Sequence, residues 1–114
     1  MSIEVIYIDG CPNHRPTVDR VKELLNDLRS PTELIEVPVT DFGSALANRF
    51  LGSPTVRVNG IDVEPSARTS TQFGLACRTY VEGRKREGIP SRELIREAIL
   101  EASGERQTVM IEAQ

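Results

Sequence analysis

The sequence has a single histidine, His14, and only two cysteines, Cys11 and Cys77. One histidine excludes a metal centre built from several histidines. No stretch approaches the roughly 20 apolar residues of a membrane-spanning helix, and residues 1–9 lack the basic flank and long apolar run of a signal peptide. A glycine-rich phosphate loop of the Walker type is also missing. These absences predict a cytoplasmic protein, in which cysteines are more often free, catalytic or metal-binding than structural disulfides.

Charge and length further limit the classes of protein to which this chain can belong. The chain carries 14 Lys and Arg against 17 Asp and Glu, a net charge of -3, over 114 residues. The acidic balance argues against a nucleic-acid partner, and no membrane association is expected. The basic run Arg84–Arg86 is interpreted as a solvated loop. The length predicts one domain, which we expect to cover residues 1–104.

The first forty residues predict a strand, a helix and a second strand. Residues 3–8 are rich in β-branched and aromatic side chains, as buried strands are. The following helix has Asn13 as its N-cap and apolar residues at helical spacing. Residues 34–39 predict the second strand, and Pro38 predicts that it lies at a sheet edge because proline cannot donate to a ladder.

Capping residues and one turn mark the remaining elements. They are a short helix from Asp41 to Gly52, a hairpin of residues 54–58 and 61–64 around Asn59–Gly60, and a last helix from Ser91 to Gly104. This order predicts an α/β fold (βαβα, then a β-hairpin, then α) with a four-stranded mixed sheet and helices on both faces. Residues 65–90 predict a long loop or lid. The tail, 105–114, either frays or pairs through residues 109–111.

Two motifs carry a family resemblance. Residues 10–14 read Gly-Cys-Pro-Asn-His between the first strand and first helix, and residues 52–56 read Gly-Ser-Pro-Thr-Val before the hairpin. In this order they resemble the thioredoxin-fold superfamily, and the whole chain is similar to small bacterial members labelled alkylmercury-lyase-like or grouped with selenoproteins. The resemblance implies a cis peptide bond before Pro54. It also implies substrate contacts at Pro12, Ser53, Pro54 and Thr55.

His14 stands where the family's second motif cysteine would be, so Cys11 cannot close a disulfide within its own motif. The helix N-terminus stabilises a Cys11 thiolate, and His14 would stabilise it further or move a proton. Asp9 would oppose this through charge repulsion. The alternative is an inert buried cysteine beside a capping histidine.

The predicted strand directions place Cys77 at the same end of the sheet as Cys11. With Pro54 facing Cys11, the strand after Pro54 runs antiparallel to the first, and its hairpin partner finishes at the Cys11 end. Residues 65–90 are therefore delivered over Cys11, which makes Cys77 a candidate resolving thiol. The alternative is a core-filling Cys77 packed with Phe73 and Leu75.

The sequence is compatible with three functions. The first is a cofactor-free thiol–disulfide oxidoreductase acting on a protein or a low-molecular-weight thiol or disulfide, with Cys11, His14 and Cys77 as catalytic residues. The second is a soft-metal module binding mercury, zinc or copper(I) through the same three side chains. The third is a non-catalytic interaction domain. The edge at Pro38 would allow a homodimer.

Overall fold

The computed structural model describes residues 1–104 and contains a four-stranded mixed sheet. Its strands are β1 (Ser2–Ile8), β2 (Glu33–Val39), β3 (Thr55–Val58) and β4 (Ile61–Asp62), in the order β2-β1-β3-β4. β1 and β2 are parallel, whereas β3 is antiparallel to β1 and to β4. Pro38 lies in the edge strand β2, as predicted.

Helices cover both faces of this sheet. Along β1, Ile3 and Val5 point to one face, where they pack with buried residues of α1 (His14–Asp27) and α3 (Arg92–Ser103). Ile6 points to the other face and packs with Ala45 of α2 (Phe42–Ala47). Because successive side chains of a strand point to opposite faces, β1 contributes residues to two separate hydrophobic cores. The expected α/β architecture with a four-stranded mixed sheet is confirmed.

The local signals for helix starts are confirmed as well. Asn13 is the N-cap residue of α1, although its side chain makes no capping bond. The Asp41 carboxylate accepts a hydrogen bond from the Ser44 amide at 2.7 Å, which closes a capping box on α2. The Ser91 hydroxyl accepts one from the Leu94 amide at the start of α3.

Two boundaries were predicted wrongly. α2 ends at Ala47, well before Gly52. Arg49 has a φ of +52°, which leaves the helical region. The guanidinium of Arg57 donates to the carbonyls of Asn48 and Arg49, at 2.7 and 2.6 Å, and so satisfies the helix end. β4 stops at Asp62, because its carboxylate binds the Glu64 amide and the chain turns away.

Residues 65–90 are more ordered than the predicted loop. They contain a single 3₁₀ turn at Pro65–Ala67 and a hairpin of β5 (Tyr80–Glu82) and β6 (Lys85–Glu87). Arg84–Arg86 are exposed, as expected, but belong to this hairpin. The tail 105–114 lies outside the described residues. Within residues 1–104, no helix has the length and apolar character needed to cross a bilayer.

Candidate functional site

Cys11 follows a tight turn at the end of β1. Its amide donates to the carbonyl of Ile8 at 3.0 Å, and Gly10 has a φ of +85°. A positive φ at the third turn position is a type II geometry, which glycine adopts without steric cost. The turn keeps the α carbon of Cys11 within about 7 Å of that of Ile8. Cys11 is half-buried, and its thiol is free.

Ser53 lies between the segments that carry the two cysteines. The Ser53–Pro54 peptide bond is cis, as the resemblance implied. The Ser53 hydroxyl accepts a hydrogen bond from the amide of Ile8 at 3.0 Å. On its other side, the Ser53 amide donates to the carbonyl of Ala76 at 2.8 Å, and its carbonyl accepts from the amide of Arg78 at 3.0 Å.

These bonds form a parallel bridge that fixes Cys77 beside Ser53. Ser53 therefore lies between Cys77 and the end of β1. A disulfide needs α carbons within about 7 Å, and both thiols are free. Cys77 is exposed, and so is Leu75 at 45%. Cys77 therefore does not fill a core, although the segment does return to the Cys11 end of the sheet.

His14 faces β2 rather than Cys11. Its ring stacks on Tyr7 with centroids 3.5 Å apart, and its Nε2 lies 2.7 Å from a carboxylate oxygen of Glu36. In the described part of the chain, its side-chain hydrogen bond goes to Glu36 and none joins it to the Cys11 thiol. The arrangement thus supports a structural role, orienting the first turn of α1, more directly than a proton-transfer role.

The predicted substrate-contacting residues divide into two groups. Pro12 is exposed beside Cys11, whereas Ser53, Pro54 and Thr55 are buried. The Thr55 hydroxyl donates to the carbonyl of Gly52 at 2.6 Å, so its hydrogen is used within the protein. A ligand would therefore meet the exposed residues Pro12 and Cys77 rather than the Ser53 and Thr55 hydroxyls.

A buried ionic network stands directly behind Pro54. The guanidinium of Arg78 donates to both carboxylate oxygens of Asp62, at 2.7 and 2.8 Å, and to Glu64 at 3.2 Å. The carboxylate of Glu64 accepts from the amide of Val81. The hydroxyl of Tyr80 donates to the carbonyl of Pro54 at 2.6 Å. The network thus attaches the segment after Cys77 to β4 and to Pro54.

Burial and neighbouring charges have opposite effects on the pKa values of Arg78 and Tyr80. Burial alone would lower the pKa of Arg78, but its hydrogen bond to Asp62 and the surrounding negative charge raise that pKa above its ordinary value. Burial raises the pKa of Tyr80, against the opposing charge of Arg78 lying 4.2 Å from its ring centroid. Both groups therefore hold their protons throughout the neutral range.

Asp62 and Glu64 are buried in this network, although they lie at the end of the edge strand β4. Their spacing of two puts both carboxylates on the same side of an extended chain, which is the available signal. Their partner Arg78 is 14 and 16 residues away. Its position depends on the path of residues 65–77, which no local pattern encodes.

The metal-binding alternative gains no support from the geometry. Among residues 1–104, no three His, Cys, Asp or Glu side chains come together in an arrangement that could hold a metal ion. His14 is turned toward Glu36, and Cys77 is separated from Cys11 by Ser53.

Comparison of this chain with protein-family models, curated proteins and solved structures yields no match. The likeness to the thioredoxin-fold superfamily therefore rests on the two motifs and the order of elements.

Proposed function

We propose that this protein is a thiol–disulfide oxidoreductase of thioredoxin-like fold, with Cys11 as nucleophile and Cys77 as the second thiol. The observation that carries the proposal is the double attachment of Ser53, to Ile8 on the Cys11 side and to residues 76 and 78 on the Cys77 side. Free thiols at both positions fit the reducing cytoplasm that the sequence predicts.

The chemistry is disulfide exchange in two steps. The Cys11 thiolate attacks one sulfur of a substrate disulfide RSSR′, forming a Cys11–SR mixed disulfide and releasing R′S⁻, which takes a proton from water. The Cys77 thiolate then attacks the Cys11 sulfur, forming the Cys11–Cys77 disulfide and releasing the second thiol. Two molecules of a low-molecular-weight thiol reduce that disulfide and become oxidised to their own disulfide.

The substrate class follows from the backbone of Ser53. An extended polypeptide could pair with the free amide and carbonyl of a residue before the proline, but both groups of Ser53 are bonded to residues 76 and 78. Docking such a chain would displace the Cys77 segment, which the buried Arg78 network holds. We therefore favour a low-molecular-weight disulfide over a polypeptide substrate.

The test measures reduction of hydroxyethyl disulfide, and separately of insulin, with glutathione as the reductant. Cys11→Ser should lower the rate to that of glutathione alone, because the attacking sulfur is gone. Cys77→Ser should slow turnover and accumulate a Cys11–glutathione adduct detectable by intact-protein mass spectrometry, because the second exchange step is lost.

Ala76→Ser is the matched control, since it adds a hydroxyl to an exposed neighbour of Cys77 and leaves both thiols in place. It should retain the wild-type rate. Wild-type turnover in Cys11→Ser would overturn the proposed function. Faster reduction of insulin than of the small disulfide would overturn the substrate class.

A further inference from the structure

A concave site lies on the α2 side of the sheet, away from the cysteines. It has a volume of about 230 Å³ and lies between the loop after α2, the β3–β4 hairpin and the residues after the 3₁₀ turn. Three arginines line it from these three segments: Arg49, Arg57 and Arg68. We call this site the arginine pocket. Three cations converging from separate segments are costly unless opposite charge balances them.

Arg57 lines the arginine pocket with a side chain whose orientation is fixed by hydrogen bonds. It is half-buried, and its guanidinium is oriented by two short bonds to the carbonyls of Asn48 and Arg49. Burial lowers the pKa of Arg57, while the charges of Asp62 and Glu4 partly offset that effect. Two carbonyl partners leave three of its five N–H donors for other acceptors.

Arg49 supplies a cation without a carboxylate. Its guanidinium carbon lies 5.5 Å from the centroid of Phe73, a cation–π contact. In the described part of the chain no carboxylate pairs with it, whereas Arg68 is bonded to Glu101 at 3.0 Å.

The acidic lining group is Asp62, which shares the cation Arg78 with Glu64. Both of its carboxylate oxygens are bound by Arg78, and one also accepts from the Glu64 amide. Glu101 is 54% exposed at its side chain, so it screens Arg68 only weakly. Among its lining residues, the pocket therefore presents three guanidinium groups and one carboxylate, that of Asp62.

We propose that the arginine pocket binds a small oxyanion, a phosphate or a carboxylate, on the guanidinium groups of Arg49 and Arg57. Planar guanidinium groups match the paired oxygens of both anions. Phe73 and Leu51 offer an apolar wall to the rest of such a ligand. This site is independent of the proposed thiol chemistry, because none of its lining residues is a cysteine or His14.

The test titrates the full chain with inorganic phosphate, pyrophosphate and succinate in low-chloride buffer, followed by amide chemical shifts in NMR. We expect saturable shifts at the amides of Arg49, Arg57, Arg68 and Ser70. Arg49→Gln should weaken binding at least about tenfold, the scale expected for loss of one charge-assisted bond. Saturation by the phosphates alone, or by succinate alone, identifies the group that is bound.

Arg84→Gln is the control, since it removes the same charge from an exposed position in the β5–β6 turn. It should leave the affinity unchanged. Equal weakening by Arg84→Gln would mean that only net charge matters and would overturn the proposal. The absence of saturable shifts with all three anions would overturn it too. Unchanged alkylation of Cys11 on anion binding is expected, which separates this outcome from the fate of the thiol proposal.

Discussion

Replacing Arg78 by methionine tests whether buried charge holds the Cys77 segment against Ser53. The side chains of Arg78, Asp62 and Glu64 are only 6%, 5% and 12% exposed. Methionine keeps much of the aliphatic volume of arginine but removes the donors. Two buried carboxylates, Asp62 and Glu64, then lose their common cation.

Removing one partner of a buried ion pair costs about 3–5 kcal/mol, because the remaining charge stays desolvated. A domain of this size has a free energy of unfolding of about 5–15 kcal/mol. Arg78→Met should therefore remove a large share of the stability.

Arg92→Met is the matched control for this loss. Arg92 also faces two carboxylates, Asp27 at 2.7 Å and Glu23 at 4.0 Å, but all three side chains are 44% exposed or more. Exposed pairs contribute about 0–1 kcal/mol, so this variant should unfold close to wild type. The two arginines differ mainly in burial.

The assay is urea unfolding at neutral pH, with the triple variant Arg78→Met, Asp62→Asn, Glu64→Gln as a second comparison. The amide side chains keep acceptors for the Glu64 and Val81 amides but carry no charge. The triple variant should regain at least half of the loss. A loss below about 1 kcal/mol in Arg78→Met would refute the reasoning. A triple variant that regains nothing would assign the loss to packing instead.

Two further predictions concern the residues around Pro54. Gly52 has a φ of +120°, and a β carbon there would lie 2.9 Å from the Arg78 Cβ, whereas Gly60 has a φ of +81° with open space. Gly52→Ala should therefore cost about 1–3 kcal/mol more in thermal or urea unfolding than Gly60→Ala, and equal losses would contradict the close packing. Tyr80→Phe should cost about 0.5–1.5 kcal/mol at neutral pH through the lost bond to Pro54. Because burial raises the pKa of Tyr80, the folded state keeps a proton that the unfolded chain loses near pH 10, so this contribution is complete below about pH 10 and is lost above it. The phenylalanine variant should accordingly show a shallower fall in stability between about pH 9 and about pH 11, and an unchanged slope would contradict it.

The parts of the fold that the sequence predicted correctly depend on neighbours along the chain. Asp41 and Ser91 cap helices through amides three residues ahead. Asn59 and Gly60 form their turn with positive φ at both positions, the geometry that joins two adjacent strands. Pro38 marks the edge strand because it lacks a donor. Each of these signals acts within a few residues, so it can be recognised without knowing the tertiary structure.

The parts that the sequence missed depend on contacts between distant residues. α2 ends early because Arg57, eight and nine residues away, takes the carbonyls of Arg49 and Asn48. The ionic role of Asp62 depends on Arg78, which arrives only after the chain has passed the 3₁₀ turn. His14 was expected to serve Cys11, but Tyr7 and Glu36 hold its ring over the sheet. No spacing rule connects these partners.

The attachments of the two cysteines determine which part must move in the proposed cycle. Cys77 is fixed on one side by the two backbone bonds of Ser53 and on the other by the buried side chain of Arg78. Opening that segment would expose buried charges, so its backbone is the costlier one to displace. The Cys11 turn has two backbone bonds, from the Cys11 amide to the Ile8 carbonyl and from the His14 amide to the Cys11 carbonyl, but Asp9, Gly10 and Pro12 around it are exposed. We therefore expect the two sulfurs to come together through movement of the Cys11 turn past Ser53, while the Cys77 segment stays in place.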